Sequence, residues 1–199
     1  MATPRIKSYK INMNSINKRI GNSKKYNNKA DELVNEKFKK TKKALMEEFE
    51  KHPVTQEIEG GPNSPNISGT LNGYGNLFTF IGFELGSNPI NSVRVYLQTR
   101  IALRKKTAKG SSLNKEYSVN IPNLESFNFA SMPWESGSWV RGIETGVSGF
   151  SYYMSKVSLA SRSGKAIQID GKLRSINSSK AVPYMSDILT KFAKRITSR

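Results

Sequence analysis

The sequence contains no cysteine and a single histidine, His52. A disulfide framework and a thiolate metal site are therefore excluded. A zinc site would have to rely on carboxylates, which suit zinc poorly, so we expect no metal site and no cofactor. His52 lies directly before Pro53, where a helix is predicted to end. We interpret this histidine as a partner of that helix's C-terminal dipole rather than as a catalytic base.

Long apolar runs and catalytic motifs are also missing. No stretch of about 18 apolar residues is present, so no membrane-spanning helix is predicted. The sequence has no P-loop, no dinucleotide-binding fingerprint and no nucleophile elbow. Glu57 and Glu59 could form a carboxylate pair beside a glycine-rich loop, but nothing supplies a third group. We therefore predict no catalytic residues and no enzymatic activity, with an enzyme that acts on nucleic acid as an alternative.

Positive charge is abundant and unevenly distributed. The 199 residues include 32 Lys and Arg against 15 Asp and Glu, a formal net charge of +17, which implies an anionic partner such as nucleic acid. Three basic blocks, residues 1–56, 91–115 and 161–199, carry +8, +7 and +7, and two acidic blocks, residues 57–90 and 116–160, carry −3 and −2. In a self-assembling protein, such segregation lets a negative surface of one copy meet a positive surface of the next.

Residues 93–121 carry the sharpest pattern in the chain. The odd positions from Val93 to Leu103 are mostly apolar, and the even positions from Arg94 to Arg104 include three arginines, which is typical of a half-buried β-strand. A basic run follows, and residues 117–121 alternate again. The pattern predicts a long antiparallel hairpin that contacts phosphates or an acidic partner without reading bases. The predicted contact residues are Arg94, Arg100, Arg104, Lys105, Lys106, Lys109 and Lys115.

The rest of the chain predicts helices at both ends of one domain. Residues 1–28 form a basic arm, either a disordered tail or a segment that orders on a neighbour or on nucleic acid. Residues 29–199 are predicted to form a single domain. Apolar spacings of three and four predict a helix over residues 29–51, with Asn27 or Asn28 as its cap, and a helix over Pro183–Thr197.

Between these helices the pattern predicts strands and loops. Residues 57–76 are interpreted as a long loop with one short strand at 67–71. Residues 77–83 form a buried strand or a short apolar helix, of which we favour the strand, and residues 166–176 predict another strand. The predicted fold class is α+β: an antiparallel sheet with a long basic β-hairpin, packed by an N-terminal and a C-terminal helix.

Both tryptophans lie in a segment rich in glycine and aromatic residues that extends to residue 150. Such a composition is typical either of an interface turn with close backbone packing or of an ordinary loop folded over the core. We predict that this segment and the arm contact neighbouring subunits. The residues predicted for that interface are Tyr9, Ile11, Trp134, Trp139 and Phe150.

Three short parts of the chain carry a resemblance to a known family. They are Leu45-Met46-Glu47-Glu48-Phe49 with the following His52-Pro53-Val54-Thr55, Ser68-Gly69-Thr70-Leu71, and Ser138-Trp139-Val140-Arg141-Gly142-Ile143-Glu144-Thr145-Gly146. Together they resemble the tail-completion, or head–tail connector, group of neck proteins from tailed bacteriophages. The similarity extends roughly over residues 30–199. The basic arm before residue 29 departs from that group.

The resemblance implies a structural role in the virion. A homo-oligomeric ring would join the head to the tail, with DNA passing through its lumen, in a protein made in the host cytoplasm. The implied partners are other copies of the chain, portal or connector and tail proteins, and double-stranded DNA held through non-specific phosphate contacts, with no membrane. The alternative is a sequence-independent nucleic-acid-binding protein, associated with ribosomes or with the nucleoid.

Overall fold

The structure, a computed structural model, describes residues 12–71, 75–106, 113–133, 137–144 and 183–198. The described residues form a mixed α+β fold with seven α-helices and one two-stranded antiparallel sheet. The chain divides into two compact units. The first unit comprises residues 1–38 and 103–119, and the second comprises residues 39–102 and 120–199.

The first unit combines the N-terminal helices with a short hairpin. Helix α1 (Met13–Asn22) begins after Asn12, whose side chain accepts a hydrogen bond from the backbone N–H of Ser15 at 3.1 Å. Helix α2 (Lys24–Lys51) follows, and the division between the units falls within it. Strands β1 (Leu103–Lys105) and β2 (Tyr117–Val119) pair antiparallel, three residues each.

The second unit is helical and contains the large core. Its helices are α3 (Pro53–Glu59), α4 (Leu77–Ile81), α5 (Pro89–Arg100), α6 (Trp139–Glu144) and α7 (Met185–Thr197), with 3-10 turns at Gly61–Asn63 and Leu124–Phe127. The largest fully buried side chains include Trp139, Tyr184, Phe49, Phe127 and Phe192.

Aromatic packing orders this core. The ring of Trp139 meets the edge of Phe83 at 5.9 Å between centroids and stacks on Tyr184 at 6.4 Å. The buried Tyr184 hydroxyl shares a hydrogen bond with the Thr55 hydroxyl at 2.8 Å, and burial raises the pKa of Tyr184. That bond gives a buried hydroxyl its partner, which is the usual condition for placing a tyrosine in a core.

The predicted strand from Val93 to Leu103 is wrong over most of its length, because residues up to Arg100 belong to helix α5. Positions 93, 97 and 101 are four apart, so a pattern that repeats every second residue also places apolar side chains on one helical face. Val93, Leu97 and Ile101 are indeed fully buried. The Asn88 side chain accepts from the backbone N–H of Asn91 at 3.1 Å and starts the helix.

The long basic hairpin is thereby reduced to a short one. Leu103 lies opposite Val119, and Lys105 lies opposite Tyr117. Ile121, which the sequence pattern included in the second strand, follows the end of β2. The basic tip over residues 107–112 lies outside the described residues.

Three further predicted strands have different outcomes. Residues 77–83 contain helix α4 instead of a strand, because Asn76 accepts from the N–H of Thr79 at 3.0 Å and Gly82 ends the helix with a positive φ of 82°. The strand predicted at residues 67–71 is also wrong, since these residues form turns. The strand predicted at residues 166–176 lies outside the part that the structure describes.

Both long helices are confirmed, with different starts. Helix α2 begins at Lys24, so Asn27 and Asn28 lie inside it and do not cap it. Helix α7 begins at Met185 rather than at Pro183, and its first turn is capped from α6. The Glu144 carboxylate accepts from the backbone N–H groups of Tyr184 at 3.1 Å and Ser186 at 2.6 Å. An acidic side chain in that place satisfies N–H groups that have no partner within the helix.

His52 caps the start of a helix rather than serving the end of one. Its Nδ1 accepts from the backbone N–H of Val54 at 3.2 Å, at the start of α3. Burial lowers the pKa of His52, which favours the neutral ring that this bond requires. The predicted dipole role is therefore wrong, because the following Pro53 opens a new helix at its first-turn position.

Candidate nucleic-acid interface

Three polar contacts fasten the hairpin of the first unit to its helices. The Tyr26 hydroxyl donates to the backbone carbonyl of Leu113 at 2.6 Å. The Lys115 ammonium donates to the carbonyl of Gly21, in the last turn of α1, at 3.1 Å. The Asp31 carboxylate of α2 makes the third contact, with β1 and β2 together. The N-terminal helices and the hairpin of the first unit are thus joined although they are far apart in sequence.

Asp31 accepts a hydrogen bond on each of its oxygens. The Lys105 ammonium donates to Oδ2 at 2.6 Å, and the Tyr117 hydroxyl donates to Oδ1 at 2.5 Å. The bonds from Lys105 and then Tyr117 lower the pKa of Asp31. Burial and the bond to Asp31 raise the pKa of Tyr117 to about 12. The ionised carboxylate and the protonated phenol are therefore the stable pair at neutral pH.

The first unit holds most of the excess charge. By sequence its two segments contain fourteen basic and four acidic side chains, net +10 of the total +17. Three of the four acids already pair within the unit: Asp31 with Lys105, Glu32 with Lys29 at 2.9 Å, and Glu116 with Lys106 at 3.5 Å. The remaining cations of the unit consequently have little internal compensation.

Five exposed cations of the first unit have no ion-pair partner among the described residues. We call them the cationic surface: Lys18, Arg19, Lys24, Lys25 and Arg104. Four of them flank Ser23, where α1 ends and α2 begins. Sequence analysis missed these four as contact residues. The signal that could have found them is the complete absence of acidic residues before Asp31.

The three predicted contact arginines do not lie on one strand. Arg94 is engaged by two carboxylates: its Nε and Nη2 donate to Glu50 at 2.6 and 2.8 Å, and Nη2 donates to Glu59 at 2.6 Å. Its side chain is 20% exposed, and these bonds, that to Glu50 foremost, raise its pKa. Arg100 is exposed at the end of α5, whereas Arg104 lies on β1. Arg94 therefore has no free charge to offer a ligand.

The predicted contact lysines differ in how far they are engaged. Lys105 is held by Asp31, and Lys115 is held by Gly21. Lys106 is 58% exposed and makes only the longer pair with Glu116. Lys109 lies outside the described residues. Lys105 and Lys115 thus fasten the hairpin, while Lys106 remains accessible.

The residues predicted for subunit contacts lie mostly outside the described part. Tyr9, Ile11, Trp134 and Phe150 fall there. Trp139 is described, and it is only 1% exposed because it packs against Phe83 and Tyr184 in the core of its own chain. A side chain buried in this way has no surface left for a neighbouring subunit.

Glu57 and Glu59 do not form a carboxylate pair. Glu57 is fully buried and accepts from the backbone N–H groups of Ser68 and Leu77, each at 2.7 Å, whereas Glu59 binds Arg94. Over the described ranges, no three His, Asp or Glu side chains converge in a way that could hold a metal ion. None of the helices described here is both long and apolar enough to cross a membrane.

The chain was compared with family models, with curated proteins and with solved structures, and none of them matches it.

Proposed function

We propose that the protein is a structural virion protein of the phage neck, which forms a homo-oligomeric ring between head and tail and surrounds the DNA channel. The observation that carries this proposal is the concentration of net charge +10 in the first unit, with five exposed and unpaired cations on it. Neutralising phosphates with Lys and Arg binds duplex DNA without sequence choice, which suits a channel that every sequence must pass.

The exposed apolar side chains of α1 support self-association. Met13, Ile16 and Ile20 stand at helical spacings of three and four, and they are 58%, 40% and 42% exposed. We call them the α1 stripe. A helix that leaves its apolar face in water gains free energy when another protein covers it. The surroundings of the stripe are basic. In the 57–90 block Glu57 is buried and Glu59 binds Arg94, so the exposed Glu84 is the acid with which a neighbouring copy would complement them.

In this proposal the other partners follow from the position of the ring. Portal or connector proteins meet one face and tail proteins meet the other, and double-stranded DNA contacts the cationic surface. The same surface also favours the second candidate, a sequence-independent nucleic-acid-binding protein associated with ribosomes or the nucleoid. Quantifying the protein in purified phage particles separates the two, because a neck protein is present at a fixed copy number and a ribosome- or nucleoid-associated protein is absent.

DNA binding by the first unit is tested with matched charge variants. Lys18, Arg19, Lys24 and Lys25 are all changed to Gln in one protein, and Lys39, Lys40, Lys43 and Lys51 of the second unit's part of α2 are changed to Gln in another. Both variants lose four charges. Duplex affinity is measured at several salt concentrations. In a plot of log affinity against log salt, each phosphate contact contributes about 0.9 to the downward slope.

We expect duplex affinity to depend less steeply on salt in the first variant, by the equivalent of several phosphate contacts. In the second variant that salt dependence should be nearly unchanged. Equal flattening in both proteins would mean that only the total charge matters. That result would contradict a DNA contact located in the first unit.

A further inference from the structure

An aromatic pair in the second unit leaves a ring open to water. Phe129 is 44% exposed, and its centroid lies 4.6 Å from that of Tyr96 with the two planes 35° apart. Beneath them the fully buried Phe127 lies 5.3 Å from Tyr96 and 6.1 Å from Phe129. Phe129 thus packs against Tyr96 and the buried Phe127, while 44% of its surface stays exposed to solvent.

Arg100 places a cation over Tyr96, one of the two rings of this pair. Its guanidinium carbon is 6.0 Å from the centroid of Tyr96, the side chain is exposed, and it has no ion-pair partner within the described ranges. The backbone carbonyls at the end of α5 already accept hydrogen bonds from other side chains. The Lys42 ammonium already donates to the carbonyls of Gln98 at 2.6 Å and Ile101 at 2.8 Å, and the Asn120 side chain donates to the carbonyl of Arg100 at 3.3 Å.

The combination matches one kind of ligand better than others. An exposed phenyl ring binds a planar aromatic group by stacking, and a guanidinium in the same cluster binds a phosphate. A single exposed ring is far smaller than the roughly 800 Å² that each partner buries in a stable protein interface. In a duplex the bases are already stacked on one another, so only an unpaired base can reach the ring.

We propose that the exposed Phe129, together with Tyr96 and the Arg100 guanidinium over Tyr96, binds an unpaired base of single-stranded nucleic acid and its phosphate. This site belongs to the second unit and shares no residue with the cationic surface that was proposed to hold duplex DNA. The inference rests on the proposed function only in taking nucleic acid as the ligand. Duplex affinity therefore tests the earlier proposal, and the preference for single strands tests this one.

The test compares labelled oligothymidine of about 12 nucleotides with a duplex of the same length by fluorescence anisotropy at one salt concentration. The 199-residue chain is used as it stands and with Phe129→Ala, Phe129→Leu, Phe129→Tyr or Arg100→Gln. Phe129→Leu keeps the apolar contact with Tyr96 but removes the aromatic face. Leu85→Ala is the matched control, because Leu85 is an exposed apolar residue of the same unit at 68% exposure and has no aromatic ring.

Phe129→Ala and Phe129→Leu are expected to weaken oligothymidine binding about tenfold and to leave duplex binding unchanged. Phe129→Tyr and Leu85→Ala should bind like the original protein. Arg100→Gln should flatten the salt dependence of single-strand binding by about one contact, a slope of about 0.7.

Four outcomes would overturn the proposal. In the first three the protein fails to bind oligothymidine at all, Phe129→Ala and Phe129→Leu bind it normally, or these two variants bind both nucleic acids equally weakly. In the fourth outcome these variants change the oligomer size but keep oligothymidine binding, which would show that the Phe129 side chain contacts protein. Circular dichroism of Phe129→Leu verifies that the fold is retained.

Discussion

Glu57 shows how a residue that looks chemically active can have a purely structural task. Its carboxylate is fully buried, and each oxygen accepts one backbone N–H, from Ser68 and from Leu77. These two donors lie on either side of a stretch rich in glycine and asparagine. Asn76 acts beside it and donates to the carbonyls of Gly61 at 3.1 Å and Ser64 at 2.8 Å. Together the two side chains replace the hydrogen bonds that an irregular loop cannot make with itself.

Replacing Glu57 with Gln is expected to destabilise the second unit. The amide can accept at only one of its two positions, so one backbone N–H would face an NH2 group and lose its partner. Loss of a hydrogen bond to a charged acceptor costs about 1.5–3 kcal/mol. The free energy of unfolding is measured by chemical denaturation followed by circular dichroism.

Glu59→Gln is the matched control because it changes the same charge two residues away. Glu59 is 40% exposed, and its partner Arg94 keeps Glu50, so we expect a loss below about 1 kcal/mol. An equal loss in both variants would contradict the structural role assigned to Glu57.

At the scale of elements, length and capping decided which features the sequence could predict. Helices α2 and α7 follow from apolar spacings sustained over several turns. Helix α5 was not predicted from the sequence. Its buried positions are 90, 93 and 97, and the last two also fit the alternating pattern of a strand. The pair Asn88-Pro89 is an N-cap followed by a first-turn proline, and it was the local signal that favoured the helix.

The candidate interface was predictable only in part, because charge is local information and contacts are not. The basic blocks identify which segments carry the cations. They do not show that Arg94 lies between Glu50 and Glu59, or that Asp31 meets Tyr117 across 86 positions of sequence. Which cations remain free follows from these long-range partners. The cationic surface therefore had to come from the structure.

The hairpin is expected to depend on Asp31 for its position on α2. Two strands of three residues are too short to be stable in isolation, so β1 and β2 need an external hold. Asp31→Asn removes the charge that pairs with Lys105, and we expect severalfold faster amide hydrogen exchange in residues 103–105 and 117–119. Glu32→Gln is the control. It also removes one negative charge, at the next residue of α2, but the ion pair that it breaks is with Lys29.

The same contact predicts a definite pH dependence. The pKa of Asp31 is lowered from its ordinary value of 3.8, so the folded protein binds a proton there less readily than the unfolded chain does. Its stabilising effect is therefore constant above about pH 4 and is lost only as the pH falls through the lowered pKa. Hairpin protection that declined already between pH 7 and pH 5 would contradict Asp31 as the group responsible.

Across the whole molecule, charge and exposed apolar surface coincide in the first unit. That unit has a little over a quarter of the residues but net charge +10 of +17, and it also carries the α1 stripe. Repulsion among cations opposes folding and self-association, so such a unit gains most when an anionic partner compensates it. In the proposed ring, DNA phosphates would serve that purpose.

Polar substitution of the α1 stripe is expected to weaken assembly without unfolding the chain. In Met13→Ser/Ile16→Ser/Ile20→Ser, each residue is already 40% or more exposed, so little core packing is lost. Covering the remaining apolar surface is worth about 1 kcal/mol for each residue, so three losses should weaken association roughly a hundredfold.

Analytical ultracentrifugation over a range of protein and salt concentrations measures the strength of this association, with Ile67→Ser/Leu85→Ser of the second unit as the control for exposed apolar residues. Because the cationic surface stays intact, duplex affinity per chain should persist; unchanged association would mean that neighbouring copies meet elsewhere.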